Sequence, residues 1–217
     1  MNKFKAVIFD MDGLMFDTET LFSAVQTKLL RKRGKTFTLE LQNKMMGRKP
    51  VDAIKVMLAE LGMDEDPLAV AKERDDEYLK LLKTDSRPMP GLFNLLKFLT
   101  EGQFKKAIAS GSYHLWINTL VDKFNIRKEF DAIVSGEDVT VAKPAPDIYL
   151  LAVSKLGVRP DECLVLEDAV NGIRAAKAAG CYAVAVPSEF TKHQDFSEAD
   201  LVISSLSDPK LLGIFAA

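Results

Sequence analysis

Lys5-Ala6-Val7-Ile8-Phe9-Asp10-Met11-Asp12-Gly13 is the stretch that decides the fold. Four apolar residues in a row are cut off by two aspartates and a glycine. A continuous apolar run of this length, bounded by turn residues, suits a strand covered on both faces. Similar runs recur at Lys106–Ala109, Ala132–Val134, Cys163–Leu166, Tyr182–Val186 and Leu201–Ile203. Between them lie helical patterns. Leu92, Leu95, Leu96 and Leu99 repeat at helical spacing ahead of Gly102. Pro146 suits a first helical turn and Gly157 a helix end. An alanine-rich stretch from Ala169 to Ala179 stops at Gly180. Alternation of this kind predicts an α/β fold with a doubly wound parallel sheet.

One segment breaks the alternation. From about Thr18 to Lys83 there is no convincing strand. Leu21, Phe22, Val25, Leu29 and Leu30 form one helical stripe, and Val51, Ile54, Leu58 and Leu61 form another. Leu68, Ala71, Tyr78, Leu79 and Leu82 suggest a third. The segment is read as an inserted α-helical domain over 17–86, with the α/β core built from 1–16 and 87–217. Ser86-Arg87-Pro88-Met89-Pro90-Gly91, rich in breakers, is the return linker.

Composition bounds the function. The chain has 217 residues and a formal charge of −2, which argues against a broad nucleic-acid surface. No apolar run approaches the roughly 18 residues of a membrane span, and the first one is too short for a signal-peptide core. Cys163 and Cys181 read as buried hydrophobes of a reduced, cytoplasmic chain rather than a disulfide framework. A monomer acting on a small molecule is expected. His114 and His193 are the only histidines, so chemistry built on several histidines is excluded and carboxylates must do most of the work of any catalysis. Dinucleotide-binding, P-loop, serine-hydrolase and zinc-protease signatures are absent.

Four polar features fall at the ends of predicted strands: Asp10-x-Asp12-Gly13, Ser110-Gly111-Ser112, Lys143-Pro144 and Glu167-Asp168. In a parallel sheet the carboxyl ends of the strands line the ligand crevice, so all four can converge. Asp10, Asp12, Glu167 and Asp168 would then crowd four carboxylates together. Like charges so placed repel and destabilise a fold. A hard divalent cation such as Mg²⁺ resolves the conflict, with Mn²⁺ or Co²⁺ as substitutes. With Lys143 and a proton on Asp12, the site is neutral before a phosphate dianion arrives. Residues i and i+2 of a strand share a face. Asp10 is thus placed to attack phosphorus while Asp12 protonates the departing oxygen. Ser110 and the amides of Gly111 and Ser112 suit phosphate oxygens, and Lys143 offsets the charge. Each feature alone has a bland reading as a turn, a loop or a helix start. Their joint order carries the signal.

These residues resemble the haloacid dehalogenase superfamily of phosphotransferases. The likeness runs through Phe9-Asp10-Met11-Asp12-Gly13-Leu14 with Asp17-Thr18-Glu19, then Ser110, Lys143-Pro144, and Leu166-Glu167-Asp168-Ala169 with Asn171-Gly172-Ile173. It is strongest to the branch of β-phosphoglucomutase, 2-deoxyglucose-6-phosphate phosphatase and pseudouridine-5′-phosphatase. The resemblance implies a Rossmann-like core with a helical cap, Asp10 as phosphorylated nucleophile and Asp12 as general acid/base. It implies Mg²⁺ at Asp10, the Asp12 backbone carbonyl and Asp168, with Glu167 nearby, and phosphate at Ser110 and Lys143. Glu19, Arg48 and Lys49 are candidates for selecting the substrate from the cap. The mutase of this branch carries a histidine where ungapped alignment puts Phe22. It has a phosphate-gripping arginine where alignment puts Pro50, although Arg48 and Lys49 lie close by. A Mg²⁺-dependent phosphatase of small phosphorylated metabolites, above all phosphorylated carbohydrates, is therefore expected; the alternative is a hexose-phosphate mutase. A phosphoryl-accepting receiver domain shares the carboxylates, a hydroxyl and the lysine. It needs no helical insert, however, and its phosphorylated aspartate follows a later strand.

Overall fold

The computed structural model describes residues 3–45, 48 and 50–216. The apolar runs form six strands: β1 (Ala6–Phe9), β2 (Lys105–Ser110), β3 (Ala132–Ser135), β4 (Cys163–Glu167), β5 (Tyr182–Ala185) and β6 (Leu201–Val202). All pair in parallel, in the order β3-β2-β1-β4-β5-β6. Both faces of β1 and β4 are buried, which is why these strands read as unbroken apolar runs instead of alternating ones. The strand order reverses between β1 and β4, and such a switch point opens a crevice at the carboxyl ends of the strands.

Helices α5 (Leu92–Glu101), α6 (His114–Lys123), α7 (Asp147–Leu156), α8 (Val170–Ala178) and α9 (Pro209–Ala216) belong to the same unit as the sheet. Ile148, Tyr149, Ala152 and Leu156 of α7, with Ile173 and Ala176 of α8, pack on Ala6, Ile8, Ala107, Val165 and Ala183 of one sheet face. Pro146 stands one position before α7, as its cap, and Gly157 ends the helix in the left-handed region. Cys163 and Cys181 are both free thiols and buried.

The chain divides into two compact units, Met1–Asp17 with Arg87–Ala217, and Thr18–Ser86. The chain leaves and re-enters the first unit side by side: Asp17 N–H donates to the Arg87 carbonyl at 3.0 Å, and Met89 N–H to the Met15 carbonyl at 2.8 Å. The second unit holds α1 (Thr18–Arg31), α2 (Leu39–Met45), α3 (Pro50–Glu60) and α4 (Pro67–Thr84). Leu29, Leu30, Leu41, Met45, Ile54, Met57, Leu58 and Val70 make its core. Two details differ from the sequence reading. The short helix α2 had no stripe long enough to announce it. On α4, Leu68 is 65% exposed, and the buried stripe is Val70, Ala71, Arg74, Tyr78 and Leu82. Leu68 stands in the first turn, where Asp66 caps its N–H at 3.1 Å, before the helix reaches its neighbours. Arg74 is accepted inside because Asp75 and the Pro50 carbonyl take its guanidinium protons. No helix among the described residues is long and apolar enough to cross a membrane.

Candidate active site

The register of the sheet builds the site. Phe9 stands opposite Leu166 and Ile108, so Asp10 leaves β1 beside Glu167 and Ser110, the last residues of β4 and β2. Asp10 is anchored by its N–H, which donates to the Leu166 carbonyl at 3.0 Å. After Asp12 the chain turns back, with Gly13 at φ +76°. A β-carbon there would also collide with the Asp168 carboxylate, so glycine meets both a conformational and a spatial demand.

Lys143 is the hub. Its ammonium donates to Asp10 Oδ1 and Glu167 Oε1, each at 2.6 Å, and to the Ala109 carbonyl at 3.1 Å. Burial opposes its charge, but Asp10 and Glu167 hold the ammonium well above its usual range. Glu167 Oε1 also accepts from the Tyr149 hydroxyl at 2.6 Å, and Oε2 from the Ala169 N–H at 3.2 Å. The Tyr149 ring lies under Lys143 Nζ, 4.8 Å from its centroid. Burial and the neighbouring Glu167 push the Tyr149 hydroxyl up, so it remains a donor. Gly172 in α8 leaves the space that the Glu167 carboxylate fills.

Asp12 turns elsewhere. Its Oδ2 accepts from Ser110 Oγ at 3.0 Å and Ser112 Oγ at 2.7 Å, while the Ser112 N–H donates to Ser110 Oγ. The loop is braced from β3, where Ser135 Oγ donates to the Ser112 carbonyl at 2.6 Å. Gly111 faces open space. Among the described residues the acidic group that gathers is Asp10, Glu167 and Asp168, one oxygen of each lying within 4.8 Å of the others. Three buried carboxylates against one ammonium leave an excess of negative charge. Burial pushes the Asp10 carboxyl up to about 8 against the pull of Lys143, with Glu167 and Asp12 adding to the rise. An all-oxygen set short of positive charge fits a hard divalent cation. Glu19 lies in the first turn of α1, and Arg48 Nε donates to the Lys44 carbonyl at 2.8 Å, both within the helical unit. Lys49 lies outside the described residues.

Sequence reading missed Tyr149 and Ser188. Tyr149 was hidden in the apolar face of α7; its place six residues beyond Lys143 was the one available hint. Ser188 follows β5 and donates to Asp168 Oδ2 at 3.1 Å. Tyr149→Phe keeps the ring under Lys143 and deletes a hydrogen bond to a charged acceptor. It is expected to lower stability by about 1.5–3 kcal/mol, read from urea denaturation. An unchanged midpoint would show that the hydroxyl contributes nothing.

Comparison with known proteins gives the family. A family profile of haloacid dehalogenase-like hydrolases matches residues 4–180. The Arabidopsis thaliana (DL)-glycerol-3-phosphatase 2 is 37% identical over 217 residues, covering 94% of this chain and 88% of that one. The Thermotoga maritima phosphorylated carbohydrates phosphatase is 30% identical over 176 residues, covering 81% and 82%. Among solved structures, CbbY from Rhodobacter sphaeroides in complex with phosphate has a TM-score of 0.86 at 25% identity, covering 99% of this chain and 100% of that one. The chain belongs to the haloacid dehalogenase-like hydrolase family. The enzyme class that follows is phosphoric monoester hydrolase.

Proposed function

We propose that this enzyme is a Mg²⁺-dependent phosphatase of phosphorylated carbohydrates and related small metabolites, working through an aspartyl-phosphate. The observation that carries the reading is the buried meeting of Asp10, Glu167, Asp168 and Lys143 at the sheet's switch point. The names of the relatives support the substrate class.

Lys143 fixes one oxygen of Asp10 and so orients the carboxylate. The Asp10 oxygen attacks phosphorus, a new P–O bond forms, and the bond to the ester oxygen breaks. Asp12, steered by the hydroxyls of Ser110 and Ser112, gives its proton to the leaving oxygen. Asp12 then takes a proton from water as that water attacks the phosphoenzyme, which releases inorganic phosphate and frees Asp10. The Ser110-Gly111 turn and Lys143 hold the phosphoryl oxygens. Asp10, Asp168 and the Asp12 carbonyl would hold Mg²⁺, with Glu167 nearby; the ion would neutralise charge on nucleophile and phosphoryl group. The helical unit, with Glu19, Arg48 and Lys49, acts as the substrate-selecting cap. A mutase is disfavoured because Phe22, packed on Tyr78 at 5.6 Å and on the Arg74 guanidinium at 5.7 Å, has no proton to exchange.

The test is phosphate release from a panel of sugar, polyol and nucleoside monophosphates. Hydrolysis of phosphorylated carbohydrates should vanish on chelation and return with Mg²⁺, and with Mn²⁺ or Co²⁺ in part. Full activity after exhaustive chelation would sink the metal assignment. Given β-glucose 1-phosphate and a bisphosphate primer, inorganic phosphate should outpace glucose 6-phosphate. The reverse order would make the protein a mutase.

A further inference from the structure

The loop after β5 belongs to none of the motifs, yet it closes on Asp168. It starts beside the end of β4, where the Val186 N–H donates to the Glu167 carbonyl at 2.7 Å. Ser188 Oγ donates to Asp168 Oδ2 at 3.1 Å, and the hydroxyl oxygens of Ser188 and Thr191 lie 3.0 Å apart. Both residues are buried, at 8% and 2% exposure. A hydroxyl has one proton to give. That of Ser188 goes to Asp168, so between the two hydroxyls Thr191 is the donor. Thr191 Oγ1 in turn accepts the Ser188 N–H at 2.9 Å, which locks the pair into one arrangement. Further along the loop, Gln194 Oε1 accepts the Val170 N–H at 2.9 Å and caps the start of α8. The loop thus grips Asp168 and the residues that follow it.

We propose that Thr191 and Ser188 form a directed hydrogen-bond relay that positions the Asp168 carboxylate for the divalent cation. The proposal rests on the reading of Asp168 as a metal ligand. On one side of Asp168 stands Gly13, whose missing β-carbon leaves the room that the carboxylate occupies. On the other, the Ser188 hydroxyl aims Oδ2, and Thr191 stops that hydroxyl from turning away. An oriented ligand loses less freedom when the ion arrives. Removing a partner hydrogen-bonded to a metal ligand lowers affinity by about 10- to 100-fold.

The experiment is calorimetric titration of Mg²⁺ into the full chain, in parallel with urea denaturation. Four proteins are compared: wild type, Ser188→Ala, Thr191→Val and Thr191→Ser. The Mg²⁺ dissociation constant should rise about 10-fold in Ser188→Ala. It should rise less in Thr191→Val, which keeps the shape, and stay at the wild-type value in Thr191→Ser, which keeps the hydroxyl. A Ser188→Ala protein that loses stability but binds Mg²⁺ like wild type would overturn the relay. Equal losses in Thr191→Val and Thr191→Ser would overturn it too, since packing would then be the cause. Should Ser188→Ala not fold, the Thr191 pair decides. Absence of Mg²⁺ binding by the wild type would instead bring down the metal reading, and the relay with it.

Discussion

Asp10→Asn should lower turnover by on the order of 10³-fold or more, about 4 kcal/mol of transition-state stabilisation. The amide matches the carboxylate in shape but is a poor nucleophile. Its carbonyl oxygen can still accept from Lys143, which now donates to Asp10 Oδ1 at 2.6 Å. Burial already drives the Asp10 carboxyl towards its neutral form, so a neutral side chain suits the site without metal. The fold should therefore survive, as circular dichroism and the thermal midpoint will record. Near-normal phosphate release from a pure preparation of this variant would refute Asp10 as the attacking group.

Lys143→Met should act on stability as much as on catalysis. The side chains of Lys143, Asp10 and Glu167 are 13%, 10% and 2% exposed. Removing one partner of a buried pair leaves charge uncompensated and costs about 3–5 kcal/mol. For a chain of this size that is a fall in thermal midpoint of roughly 6–20 °C. The fall should be largest in chelator and smaller with Mg²⁺, which would restore positive charge beside Asp10 and Glu167. On the proposed mechanism phosphate release should also drop, since Lys143 would then no longer orient Asp10. A midpoint within about 2 °C of wild type in chelator would mean that the carboxylates do not depend on this ammonium.

The strands and most of the helices were legible because their cause is local. Val7-Ile8-Phe9 and Leu164-Val165-Leu166 can only be buried on both faces, and the leucine stripe of α5 fits one helical period. The strand-end residues were legible for a related reason: a parallel sheet delivers Asp10, Ser110 and Glu167 to one edge. Helix α2 has too few turns to establish a period, and the buried Arg74 breaks the apolar rule that would have marked the true stripe of α4.

By itself, the sequence determined which residues lie in strands, which strand ends carry carboxylates, and that the insert is helical. Those properties follow from side-chain polarity read at a period of two or of 3.6. Only the tertiary structure decided which atoms meet. The β1–β4 register sets Asp10 beside Glu167, and the packing of α7 slides Tyr149 beneath Lys143. The loop after β5 carries Ser188 to Asp168 across 20 positions of chain and sets Thr191 against Ser188. A hydroxyl or a buried tyrosine leaves no periodic trace. Its role exists only once the partner atom stands within about 3 Å in the right direction, and that is a property of the assembled sheet.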